Sequence, residues 1–339
     1  MVLNEIMDIF PDEKIDGYQV RNKETGIEIK FEGKTEKEIF ELIVQMLQKK
    51  PTPGGTEVLI EQLSVQFPRE KVISIVQDLR DNGIITDYTL RELLKRKSAP
   101  QYLFWSRVEF AQLGESAIAL QNKWASTSLG IIGDGHLVEL IEQKARLSGL
   151  VRIEQLARPA QALEETKLGK LLEQDLLICA YDDWHPYQLD QINRRALANN
   201  RPWLLIRGMD GLSASVGPLF MGKDTGCYHC LSSRRKSHLE HVNQFEHYEA
   251  YLTEQRIAAK SQGAPMPAYD VIASLAILEL MKFRLDFAVP VTYGNMVTFD
   301  LYDMETAIHP FLKAPVCPVC KPELEHASAP WLEPLIIYN

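Results

Sequence analysis

Apolar positions in the first ninety residues keep two different periods. Residues 18–31, "YQVRNKETGIEIKF", alternate in two short β-prone runs around "NKETG", which predicts a hairpin with Gly26 at its turn. In "KTEKEIFELIVQMLQKK" the period changes. Ile39, Ile43 and Leu47 recur at helical spacing, and Thr35 with Glu38 three residues on forms a capping box. "KKPTPGG" stops that helix, and "TEVLIEQLSVQF" and "PREKVISIVQDLRDNG" predict two more. Pro68 suits a first turn and Gly83 a stop, and Val72, Ile75, Val76 and Leu79 make one apolar face. "IITD" returns as a strand. A hairpin, three helices and a closing strand is a winged-helix (α+β) pattern, assigned to residues 1–87. Residues 88–124 read as a mostly helical link carrying several aromatics.

From residue 125 the pattern becomes an alternation of buried strands and amphipathic helices, an α/β architecture. "LGIIGDGHLVELIEQKARLSGLV" gives an apolar strand ending in Gly133-Asp134-Gly135, a helix, and a second strand from Val151. A glycine turn entering a helix can place backbone amides against phosphates. Val138 stands where G-x-G-x-x-G would put its third glycine, so a tight turn without a ligand is an equal reading. "DLLICAYDDW" is a further buried strand, with Asp182 and Asp183 at its end, followed by a helix through Asn193 and a strand from Trp203. A carboxylate there can hold nucleotide-bound magnesium or simply cap a helix.

Composition narrows the classes. A hydrophobic fraction of 45% and a charged fraction of 24% are those of a globular chain with a real core. The net charge of −9 argues against nucleic acid, and residues 68–82 balance Arg69, Lys71 and Arg80 against Glu70, Asp78 and Asp81. A peptide added to an open sheet edge beside an apolar helix fits this unit better, with Ile27, Ile29, Val72 and Val76 as the contacts. A scaffold that binds nothing is the bland alternative. The acidic N-terminus lacks signal-peptide order and no apolar run spans a bilayer, so a cytoplasmic protein without membrane contact is expected.

Five cysteines remain. Cys227 and Cys230 form one C-x-x-C, and Cys317 and Cys320 another. In a reducing compartment two such pairs point to a tetrahedral zinc ion, structural because four thiolates leave no open position. A redox C-x-x-C would leave the second pair unexplained. Cys179, inside an apolar run, reads as a core thiol.

Together the glycine loop, the strand ending in Asp183, "IN" at 192–193, "GPLF", "CYHC", the long helix from about Ala268, "VTFDL" and "CPVC" resemble the ThiF-type, ubiquitin-activating-like superfamily over roughly residues 105–325. The resemblance is strongest to members that mature ribosomally made peptides, which carry a winged-helix element for a precursor's leader. These include azoline cyclodehydratase partner proteins and the pantocin-type synthase. It implies a Rossmann-like domain over 125–339, structural zinc, and ATP with magnesium at Gly133, Gly135, Asp183 and Asn193, with Asp183 in the catalytic role. It also implies a leader-peptide partner, a cyclodehydratase as a second partner, and a homodimer.

The sequence departs from that pattern in "VRIEQLARPAQALEETKLGK", where the acidic residue for the ribose and the phosphate-binding Asn-Leu-x-Arg-Gln-like segment have no counterpart. Lys167 and Lys170 could substitute for the missing cations, and surface solvation is the commoner role for each. No cysteine matches the one some relatives use for thioester transfer. Two functions stay open: an enzyme that activates a core-peptide carboxylate or amide with ATP, and a non-catalytic adaptor that presents the precursor to a cyclodehydratase. "KSQGAPMP" reads as a mobile loop that covers a site or as an ordinary solvent loop, and the apolar tail "PWLEPLIIYN" as packed on this subunit or on a partner.

Overall fold

The structure, a computed structural model, describes residues 1–4, 7–22, 25–86, 99–105, 117–157 and 165–322. The tail and part of the segment before Lys167 lie outside them. Contacts divide the chain into two units, Met1–Lys123 and Trp124–Asn339.

In the first unit, β1 (Val2–Leu3) pairs antiparallel with β5 (Ile85–Thr86). β2 (Asp8–Asp12), β3 (Gly17–Asn22) and β4 (Thr25–Ile29) form a separate antiparallel sheet in the order β2-β3-β4, so the hairpin gains a strand that the sequence did not announce. Gly26 is not at the turn; it sits inside β4 opposite Arg21. Three helices follow: α1 (Lys34–Lys49), α2 (Gly55–Ser64) and α3 (Arg69–Asp81). The expected capping box does not form, because α1 starts two residues earlier, with Gly33 rather than Thr35 at the cap position and no side-chain cap. The stop at Gly83 does form. Its φ of +65° suits glycine, and the Gly83 and Ile84 amides donate to the Arg80 and Leu79 carbonyls, a Schellman closure. Ile39, Phe40 and Ile43 of α1, Leu59 and Leu63 of α2, and Val72, Val76 and Leu79 of α3 meet in one core. Two short helices, α4 (Ala99–Trp105) and α5 (Ala117–Ala125), fall in the expected linker, and Trp105 Nε1 donates to Gln121 Oε1 between them.

The second unit is a seven-stranded mixed sheet in the order β12-β11-β10-β9-β8-β6-β7. β6 (Ser128–Asp134), β7 (Arg152–Ala157), β8 (Leu176–Tyr181) and β9 (Pro202–Asp210) run parallel. β10 (Ser213–Met221), β11 (Asn295–Asp300) and β12 (Thr306–Pro310) continue the sheet antiparallel. Every residue of β8 is buried, as a central parallel strand requires. Leu177, Cys179 and Tyr181 face a core shared with α7 (Glu165–Leu172), α8 (Pro186–Ala198) and α9 (Tyr228–Lys236). α6 (Gly135–Leu147) packs against the long α11 (Met266–Leu285), which also lies on β9 and β10; α10 (Val242–Gln255) packs on α8. The chain leaves β6 toward β7 on one side and returns as β8 on the other. The carboxyl ends of β6 and β8 therefore flank a topological switch point, where such sheets place their ligands. Among the described residues no helix is long and apolar enough to cross a membrane.

Candidate functional site

At the switch point, β6 delivers Asp134 and β8 delivers Asp182 and Asp183. The two loop glycines are required there for close approach. Gly133 has φ +150°, and a Cβ on it would lie 1.6 Å from the Ala180 carbonyl oxygen. Gly135 has φ +79°, and its Cβ would lie 2.2 Å from Asp182 Oδ2. What approaches the glycine turn is thus a carboxylate of the chain itself. Asp182 accepts hydrogen bonds from the His136 amide at 2.7 Å and the Leu137 amide at 3.0 Å. These are the orphan amides of the α6 amino terminus, the groups expected to meet phosphates. Burial pushes the Asp182 carboxyl above the usual range even though the two amides pull it down.

Asp183 turns the other way. It accepts from Lys260 Nζ at 2.6 Å and from the Ser261 amide at 2.9 Å. Partial burial works to raise it, but Lys260, the Ser261 amide and the charge of His185 outweigh that and lower it. Lys260 is raised in return, by the hydrogen bond and charge of Asp183 and, more weakly, by the charge of Asp134. His185 Nε2 lies 2.6 Å from Asp134 Oδ2. Asp134, Asp183 and His185 offer ligand atoms within 4.8 Å of one another, yet the positive charge standing among these carboxylates is the Lys260 ammonium. As folded, the α6 amides are taken by Asp182, and Asp183 is paired with the exposed Lys260.

The 259–262 segment that provides this ammonium, at the start of the expected loop, is held by hydrogen bonds. Trp184 and Ala259 exchange two backbone hydrogen bonds, both 2.9 Å. The segment closes a cleft of about 250 Å³ lined by Tyr181, Asp183, Trp184, Arg207, Phe245 and Ser261, among others. No motif marks Lys260 in the sequence; Asp134, inside the glycine turn, was in view without a role.

Asn193, expected at the nucleotide, is elsewhere. It is 1% exposed, and its Oδ1 accepts the Tyr228 amide at 3.0 Å. It therefore fixes the first turn of α9, directly after Cys227. Lys167 and Lys170 lie exposed on α7. Cys179 is fully buried, and burial pushes its thiol well up.

The four remaining cysteines converge. Cys227 Sγ lies 3.8 Å from Cys230 Sγ and 3.8 Å from Cys317 Sγ, and Cys230 Sγ lies 3.7 Å from Cys320 Sγ. A tetrahedron of thiolates about 2.3 Å from a zinc ion has edges of about 3.8 Å, so the sulfurs already have the spacing a zinc ion would impose. The Ala314 amide points at Cys230 Sγ from 3.4 Å. Hydrogen bonding from Cys227 draws Cys230 down to about 4, while burial pushes Cys320 up to about 12. Four thiols this close cannot all ionise unless a cation sits among them. The donor set fits zinc held by all four cysteines, closed to substrate.

In the first unit, Val72 and Val76 are both 0% exposed, which excludes them as peptide contacts; the 3.6-residue period points them into the core. Ile27 and Ile29 do border an open groove, about 530 Å³, between β4 and α3. On the helix side it is lined by Lys71, Ser74, Ile75 and Asp78. β4 is the edge of its sheet.

No protein-family model and no curated protein matches the sequence. Solved structures do match. A heterocyclase in complex with substrate and cofactor superposes with a TM-score of 0.64 at 18% identity, covering 94% of this chain and 39% of that one. The heterocyclase TruD gives 0.63 at 18%, covering 94% and 42%. The fold is shared with these proteins. The chain spans about two fifths of their length. The microcin C7 biosynthetic enzyme MccB in complex with N-formylated MccA gives 0.57 at 16%, covering 94% of this chain and 99% of that one. MccB, a protein of E. coli, has also been solved with ATP.

Proposed function

We propose that the chain acts in the maturation of a ribosomally made peptide as a leader-binding adaptor. In this reading the winged-helix-like unit takes the leader as an added strand on β4. The ThiF-like α/β unit is a zinc-stapled scaffold that presents the precursor to a cyclodehydratase, with ATP chemistry performed there. The single observation that carries the choice of adaptor over enzyme is the Asp182 carboxylate on the α6 amides. A nucleotide's phosphates and this carboxylate compete for the same donors, and the carboxylate is covalently present at every moment.

The comparisons support the setting. Heterocyclases more than twice as long contain this fold, which fits a division of labour between it and a further catalytic part. MccB, of matching length and solved with peptide and with ATP, supports the enzyme alternative expected from Asp183. The Lys260 ammonium at Asp183 weighs against that alternative here. A cytoplasmic homodimer remains part of the proposal on resemblance.

The test is reconstitution with a precursor and its cyclodehydratase. The adaptor reading expects no AMP or ADP release and no mass change from this protein alone, and heterocycle formation when the cyclodehydratase is added. Asp183→Ala should leave that stimulated rate within about twofold, as its partner is an exposed lysine. Turnover by the protein alone, abolished in Asp183→Ala, would restore the enzyme.

A further inference from the structure

The groove between β4 and α3 carries a charge pattern that narrows its occupant. Alternation along β4 and its extension turns Ile27, Ile29 and Phe31 toward the helices and Gly26, Glu28 and Lys30 to solvent. Ile75 completes the apolar wall from α3. The groove's charged lining is Glu28, Lys30, Glu32, Glu36, Lys71 and Asp78.

Both cations are already answered. Lys71 Nζ lies 3.1 Å from Glu36 Oε1, and Lys30 Nζ lies 3.7 Å from Glu28 Oε2. The Lys71 bond is the main cause of the lowered Glu36 carboxyl. The Glu32 and Asp78 carboxylates make no hydrogen bond or ion pair among the described residues. An entering peptide therefore meets a row of apolar pockets bordered by two unanswered negative charges.

Resting on the leader-binding reading, we infer that the segment held here is an extended peptide with apolar residues at alternate positions and Lys or Arg among its other groove contacts, and that an acidic leader segment is disfavoured. β4's free edge supplies backbone pairing in any register. The apolar side chains at every second position seat against Ile27, Ile29 and Ile75. A Lys or Arg facing the helix reaches Asp78 at the rim of the groove, and one near the end of β4 reaches Glu32. Each exposed pair adds little, so the two together favour a basic over an acidic peptide by about fivefold, and salt erodes that margin.

The probe is a phage-displayed library of random twelve-residue peptides selected on the full chain. Ile75→Arg serves as the blocked-groove control, after a melting curve has shown it folded. Enriched peptides are expected to carry apolar residues at alternate positions together with Lys or Arg, and to be lost on Ile75→Arg. The charge-reversed chain Glu32→Lys/Asp78→Lys, both positions solvent-exposed, should shift selection toward Asp and Glu. Enriched peptides that are acidic, or a selection unchanged by the charge reversal, overturn the inference while leaving the groove as the docking site. No enrichment above the Ile75→Arg control, or enrichment that survives it, overturns the docking site itself.

Discussion

Asp182 and Asp183 are neighbours in sequence and opposites in environment. One carboxylate is drawn onto the α6 amides and desolvated; the other leans on an ammonium at 2.6 Å. Their titrations should therefore separate, Asp182 above and Asp183 below the usual carboxylate value. Carboxyl-detected NMR of the Asp side chains checks this, and coincident midpoints would contradict it. The signs for stability also differ. Asp183, with a depressed folded value, stabilises above its unfolded value of about 3.9, and that contribution is lost as pH falls through the folded one. Asp182, raised when folded, carries a cost at neutral pH that disappears on acidification. Cys317 makes the sharper structural prediction. Cys317→Ser leaves three thiolates of four, and zinc measured by mass spectrometry should fall well below one per chain, with Tm lower by on the order of 10 °C. Of these residues, the four cysteines were legible in sequence because spacing alone brings two thiolates to one ion. Asn193 was misread because its position beside "IN" carries no information about the far contact it makes with the Tyr228 amide.

Between α10 and α11, the 259–262 segment behaves as a strap. It is held by the Trp184–Ala259 exchange and by Asp183. Lys260→Ala removes one hold from an exposed side chain and should change global stability by no more than about 1 kcal/mol. Amide exchange at Ala259 and Ser261 should nevertheless quicken while that of β8 stays slow, because the strap opens locally. Equal quickening in β8 would show the Lys260 contact to be a core determinant instead. The strands and helices of the second unit were readable because buried parallel strands such as "LLICAY" are continuous apolar runs broken by polar helix starts. In the first unit the period of α3 named the right face but the wrong use: Val72 and Val76 serve the core, and Ile75, one step round the helix, borders the groove. β2 was not legible because "DIFPD" is half exposed and holds a proline, an edge strand's composition rather than a central one's.

For the whole molecule, the four-cysteine cluster and the α6 cap answer different questions. The cysteines tie the start of α9 to the 317–320 loop, segments remote in sequence, and give the α/β unit a staple independent of any substrate. In the proposed adaptor, Asp182 holds the amides that a nucleotide would need. The fold alone could not decide nucleotide use, since the same architecture occurs in MccB, solved with ATP, and in heterocyclases of much greater length. The decision rests on which partner the helix amides have. Calorimetric titration of the full chain with ATP and magnesium tests this most directly. No saturable heat up to millimolar nucleotide is expected, and the same silence from Asp183→Ala. A saturating isotherm that is lost in Asp183→Ala would contradict the closed site, and with it the adaptor.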